Sequence, residues 1–142
     1  MAQQAREGSV YRIDLHNGKP AHYWIVLNEP QALDGRFLTV SLTDRHHFNI
    51  SDVWPFGYEI CADLHLAKPS VVQLQYTLVQ QQGWLNEHGA DYICNCSPAV
   101  LKRARCNLLW YPQHLKPDVV RFLNFHKGAW DVDCGSAPAH IS

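Results

Sequence analysis

Ser9-Val10-Tyr11-Arg12-Ile13-Asp14-Leu15 and His22-Tyr23-Trp24-Ile25-Val26-Leu27-Asn28, joined by His16-Asn17-Gly18-Lys19-Pro20, are the stretches on which the fold turns. The first alternates apolar and polar residues, as a half-buried strand does. The second is rich in aromatic and β-branched side chains, which suit a pleated surface. Between them Asn17-Gly18 tolerates the positive φ of a tight turn. The two stretches read as a hairpin.

Working outward, Glu29 to Gly35 is a polar loop broken by Pro30 and Gly35. Arg36 to Thr43 (RFLTVSLT) is a third strand, with Phe37, Val40 and Leu42 as its core contributors. Asp44 to Gly57 is long and irregular, and loops of that length are more often functional or locally mobile than plain connections. Tyr58 to Cys61 is expected as a short strand. Val71 to Gln80 (VVQLQYTLVQ) has β composition and fits either one bent strand or two short ones.

The period then changes. Ser97 offers an N-cap oxygen and Pro98 suits the first helical position. Leu101, Ala104 and Leu108 follow at helical spacing, widened by Val100 and Leu109, until Pro112. A second helix opens at Pro117-Asp118, with Val119, Val120 and Leu123, and Gly128 as its C-cap. The tail, residues 129–142, is expected to be loosely held, with Trp130 able to dock. Strands followed by helices predict an α+β fold, a small curled antiparallel sheet with C-terminal helices. The barrel is expected over residues 8–80 and the helices over 97–128, in a single domain.

The chain has 142 residues, 46% of them hydrophobic, with five Trp, six Tyr and five Phe. A domain of this size buries about two-thirds of its unfolded surface and needs no cross-links to hold it. No apolar run reaches the length of a membrane span. Met1 to Glu7 is polar and unlike a signal peptide, so a cytoplasmic protein is expected. Five cysteines, an odd number, then read as reduced thiols. The net charge of −1 lacks the strong basicity of many nucleic-acid binders. Basic residues are unevenly spread, however, with Lys102, Arg103 and Arg105 on the first helix.

Three stretches in order resemble the MazF/PemK-type toxins. Gly8 to Leu15 is similar to their opening strand, and His22–Asn28 with Leu38–Thr43 to their second and third. Leu66-Ala67-Lys68-Pro69-Ser70-Val71-Val72 followed by Ser97-Pro98-Ala99-Val100-Leu101 resembles their later strand and helix start. The likeness covers roughly residues 8–110. It implies an SH3-like barrel (the MazF/CcdB-like architecture) with C-terminal helices. It also implies a homodimer that cleaves single-stranded RNA without metal or other cofactor, silenced by a cognate antitoxin. Another branch of the same fold poisons DNA gyrase, so fold alone does not fix activity. Where the ribonucleases carry an Arg before the second strand, this chain reads Lys19-Pro20-Ala21-His22-Tyr23, and His22 falls nearest.

Cutting RNA without metal uses the ribose 2′-hydroxyl as nucleophile, so the protein supplies a base, an acid and donors for the phosphate. His22 is competent as base or acid near neutral pH. Thr43 offers a hydroxyl, and Lys19 and Arg45 offer charge. If the hairpin pairs with the third strand, these four approach one rim. The plainer reading has His22 merely beginning a strand and Thr43 capping a turn. His46-His47 could contact phosphate or stack on bases, or lie in a solvated loop. Lys102, Arg103 and Arg105 read as a solvent-facing helix surface, or as a phosphate or antitoxin contact. Trp54, Phe56 and Tyr58 suit either the core or a partner groove. Cys94-x-Cys96 with Cys106, and Cys61-x-Asp63-x-His65, approach metal-site composition but lack paired zinc spacing. A non-catalytic protein-binding module on the same barrel, or a small metal-binding accessory protein, are the readings from other classes.

Overall fold

The computed structural model describes residues 5–13, 22–30, 35–44, 52–81, 83–87, 89–130 and 133–137. Its strands are β1 (Ser9–Ile13), β2 (His22–Val26), β3 (Arg36–Asp44), β4 (Val53–Trp54), β5 (Glu59–Cys61), β6 (Leu64–His65), β7 (Ser70–Val72), β8 (Leu78–Gln81) and β9 (Asp91–Asn95). Its helices are α1 (Gly83–Glu87), α2 (Pro98–Trp110) and α3 (Pro117–Phe125). Among the described residues seven strands form one sheet in the order β4-β7-β3-β2-β1-β9, with β8 also on β3, while β5 and β6 pair apart. The α+β fold expected from the strand-then-helix pattern is what forms. The ladder is open, ending on β9 and β4 rather than closing into a ring.

The hairpin forms in antiparallel register, Val10 opposite Ile25 and Ile13 opposite His22. β2 then pairs with β3, Trp24 opposite Ser41 and Val26 opposite Thr39. Beyond the last rung the buried Asn28 side chain replaces strand backbone, accepting from Leu38 N at 2.9 Å and donating to the Arg36 carbonyl at 3.1 Å. Val71 to Gln80 resolves as two strands, not one bent one. β7 pairs with the C-terminal half of β3 (Leu42 opposite Val72) and β8 with its N-terminal half (Thr39 opposite Leu78). A 3-10 turn at Leu74–Tyr76 takes up the offset between the two registers.

Alternation along β3 predicts one buried face, yet Phe37, Leu38, Thr39, Val40 and Ser41 are all fully buried. Both faces are covered. Leu38, Val40 and Leu42 join Val10, Ile25 and the buried residues of α2 and α3 in one core. Phe37, Tyr11, Ile13, Trp24 and Val26 join Leu85 of α1 in the other, with Trp84 against Trp24 edge to face. Neither α1 nor β9 was anticipated: residues 83–95 carry little periodicity, and β9 forms only because β1 offers it an edge.

α2 starts as its sequence says, with Ser97 Oγ accepting from Val100 N at 3.2 Å. α3 ends at Phe125 with His126 as its C-cap, and Lys127–Trp130 continues as a 3-10 turn, so Gly128 is not the cap. The reading of the cysteines as reduced thiols is overturned. Cys61 bonds to Cys94 and Cys106 to Cys134, with Cα atoms 6.4 and 5.4 Å apart, leaving Cys96 free. Spacing in the chain could not show that β5 and β9 bring Cys61 and Cys94 to one place. Cys134 also anchors part of the tail expected to be loose, and Trp110 Nε1 donates to the Gly135 carbonyl at 3.3 Å. Among the described residues no helix is long and apolar enough to cross a membrane.

Candidate functional site

His22 is the first residue of β2 and Thr43 the next to last of β3, each half-buried. The β2–β3 ladder runs Val26–Thr39, Ile25–Val40, Trp24–Ser41. Continued two places, that register sets His22 opposite Thr43, beyond the last paired rung. Alternation gives them the same sheet face as Trp24 and Ser41. Below them Ser41 Oγ meets Gln73 Oε1 at 2.8 Å and the Ser41 carbonyl accepts from Gln73 N, fixing this end of β3 against the strand that follows. Val71 of β7 is the partner of Thr43 on its other side. An imidazole and a hydroxyl thus share one end of the sheet. Lys19, Arg45, His46 and His47 lie outside the described residues.

The helix cations do not form the solvent-facing surface expected of them, apart from the exposed Lys102. Arg103 reaches back to β4, donating to Asp52 from Nε at 2.5 Å and from Nη2 at 2.8 Å, and to the Val53 carbonyl at 3.0 Å. Its guanidinium lies 5.2 Å from the Trp54 ring centre and 4.9 Å from that of Tyr58. Arg105 donates to the Leu27 carbonyl at 2.7 Å and to Glu7. These contacts tie α2 to the sheet. The helical wheel could not show them, because the acceptors come from strands and loops far away in sequence. Of the loop aromatics, Trp54 is core and Phe56 is 73% exposed.

The candidate metal groupings are spent otherwise. Cys61, Cys94 and Cys106 are in disulfides. Burial pushes the Cys96 thiol up to about 11, against its own backbone N–H and the charge of Arg105. It is therefore protonated at neutral pH and a poor ligand or nucleophile. Among the described residues no three His, Cys, Asp or Glu side chains gather as a metal site.

A second concave place lies on the opposite sheet face, where α3 crosses β3 and β8. Arg36, Val79, Asp118, Arg121, Phe122 and Phe125 line a cavity of about 400 Å³. Nothing in the sequence singled these residues out. Their one signal is that Asp118, Arg121, Phe122 and Phe125 recur at the spacing of one helix face.

No protein-family model matches the chain, and no curated protein sequence does. Solved structures match the chain, two of them as follows. One is a chain from an endoribonuclease in complex with its cognate antitoxin from Mycobacterial species. It is 20% identical, with a TM-score of 0.50 over 80% of this chain and 99% of that one. The other belongs to the crystal structure of MazE-MazF from Deinococcus radiodurans, 16% identical with a TM-score of 0.48. It covers 80% of this chain and 100% of that one. The first likeness establishes the fold, an α+β sheet-and-helix arrangement of the MazF-like kind.

Proposed function

We propose that this chain is a metal-independent endoribonuclease of the MazF/PemK toxin type. In this reading it cuts single-stranded RNA in the cytoplasm as a homodimer and is held silent by a cognate antitoxin. The observation that carries the reading is the β2–β3 register, which brings an imidazole and a hydroxyl to one sheet end. The shared fold supports it, since the 20%-identical structure is of an endoribonuclease with its antitoxin.

The chemistry follows from the substrate. The 2′-oxygen bonds to phosphorus while the bond from phosphorus to the 5′-oxygen breaks. One proton leaves the 2′-hydroxyl and one joins the departing oxygen. His22 serves one of those transfers, accepting in one protonation state and donating in the other. Thr43 donates its hydroxyl to a phosphate oxygen as charge grows there. Lys19 and Arg45 supply the positive charge that the family places on an Arg, and His46 and His47 hold the flanking nucleotides.

Long unstructured RNA incubated with the protein in excess EDTA should yield discrete new ends. His22→Ala should slow that cutting by about 10²–10⁴-fold, the usual worth of a positioned acid or base. Cuts that survive the substitution would keep the ribonuclease and move its centre elsewhere. Folded protein that cuts nothing would instead indicate a protein-binding module on this scaffold.

A further inference from the structure

The cavity between α3 and the β3–β8 pair has the chemistry of a nucleotide site. Asp118, Arg121, Phe122 and Phe125 lie at positions i, i+3, i+4 and i+7, one stripe along α3. The Phe125 ring lines the cavity with Arg121 and Phe122 and meets the His126 ring edge to face, 4.9 Å between centres. Phe125 is 77% exposed, an unusual place for a large apolar ring at the mouth of a cavity. Phe122 below it is buried, and the Arg36 guanidinium lies 5.4 Å from its ring centre. Among the described residues neither Arg36 nor Arg121 has a carboxylate partner. Two guanidiniums, one carboxylate and a largely exposed aromatic ring thus share a volume of about 400 Å³. That size falls in the ordinary range for small-ligand sites.

We propose that this notch binds one guanine nucleotide of single-stranded RNA, away from the end of the sheet that holds His22 and Thr43. The base stacks on Phe125, because an exposed aromatic ring offers any base a π-face. The phosphate lies on Arg36 and Arg121, whose planar donors suit its oxygens. Asp118 selects the base. Guanine presents two neighbouring N–H donors on its Watson–Crick edge, which a carboxylate accepts side by side, whereas adenine turns an acceptor nitrogen toward the same oxygens. The notch and the His22 end lie on opposite faces and at opposite ends of β3. A strand reaching both must wrap the sheet edge, so the notch holds RNA without touching the cut. The proposal deepens the ribonuclease reading and rests on it for the polymer to which the nucleotide belongs.

Titration of guanosine 5′-monophosphate into the full-length ¹⁵N-labelled protein, followed by amide shifts, tests the site without any cutting. Shifts should cluster at Arg36, Val79 and residues 118–126, with adenosine 5′-monophosphate binding more weakly. Phe125→Ala should weaken binding roughly tenfold, as the loss of one base–aromatic stack does. Asp118→Asn should erase the preference for guanine while leaving nucleotide binding in place. Both side chains are exposed, and the amide spectrum itself reports whether each variant is folded. Absent or scattered shifts, an equal response to inorganic phosphate alone, or variants that bind as the parent does would overturn the proposal. Binding without RNA cutting would keep the notch and reject the ribonuclease. Cutting without nucleotide binding would do the reverse.

Discussion

Arg103 shows what a single side chain can decide. Asp52 is 8% exposed, and among the described residues its carboxylate is held by the fork of the Arg103 guanidinium. Removing the guanidinium leaves a buried charge unpaired and strips the cation from beside the Trp54 and Tyr58 rings. Arg103→Ala should therefore cost about 3 kcal/mol, the scale seen when one partner of a buried pair is deleted. Urea unfolding would measure it, and Asp52→Leu added to the same chain should return part of the loss by removing the orphaned charge. Arg103→Lys should not rescue fully, since an ammonium lacks the fork and stacks poorly. None of this was legible in the sequence. Lys102, Arg103 and Arg105 look alike on a helical wheel, and only Asp52, Glu7 and the Leu27 carbonyl distinguish them.

Elements were legible wherever local chemistry set them. The β1–β2 hairpin, β3 and the start of α2 were each readable, because alternation and the Ser-Pro cap act over a few residues; the Asn17-Gly18 turn lies outside the described residues. Ser97→Ala should cost about 1 kcal/mol, the usual worth of an N-cap oxygen, and thermal unfolding would read it. Gly128 failed as a predicted cap because α3 stops earlier, at Phe125. β9 and α1 were invisible for a different reason. DYICN earns its strand from the free edge of β1, with a shift of register between Val10 and Tyr11. Phe37 was readable as a core residue, but not that it packs on the face opposite Val40 and Leu42, against α1 and Trp84. His22 and Thr43 were nameable as polar ends of two strands. That they stand on one face follows only from the register of a ladder the sequence does not print.

At the scale of the whole molecule, two covalent links join parts that the sheet alone would leave independent. Cys61–Cys94 ties β5 to β9 across 33 residues, and Cys106–Cys134 ties α2 to the tail across 28. Each constrains the unfolded chain by roughly 3–4 kcal/mol on the loop-entropy estimate. Thiol titration of the denatured, unreduced protein should find one reactive sulfur, Cys96, and five after dithiothreitol. The reduced protein should melt at a clearly lower temperature by calorimetry. Five thiols before reduction would mean that neither link forms.

The pairing of β1 with β9 also sets a clock. Val10 finds Ile25 almost at once, but its other neighbour, Cys94, is made long afterwards. At ordinary rates of translation, about 5–20 residues per second, the gap lasts on the order of ten seconds. Throughout it the first strand stands with one row of backbone donors and acceptors unmet, the condition under which strands of neighbouring chains find each other. Of the strands in this sheet the earliest made is thus the last to be completed, and polysomes crowded with this message are where its misassembly would begin.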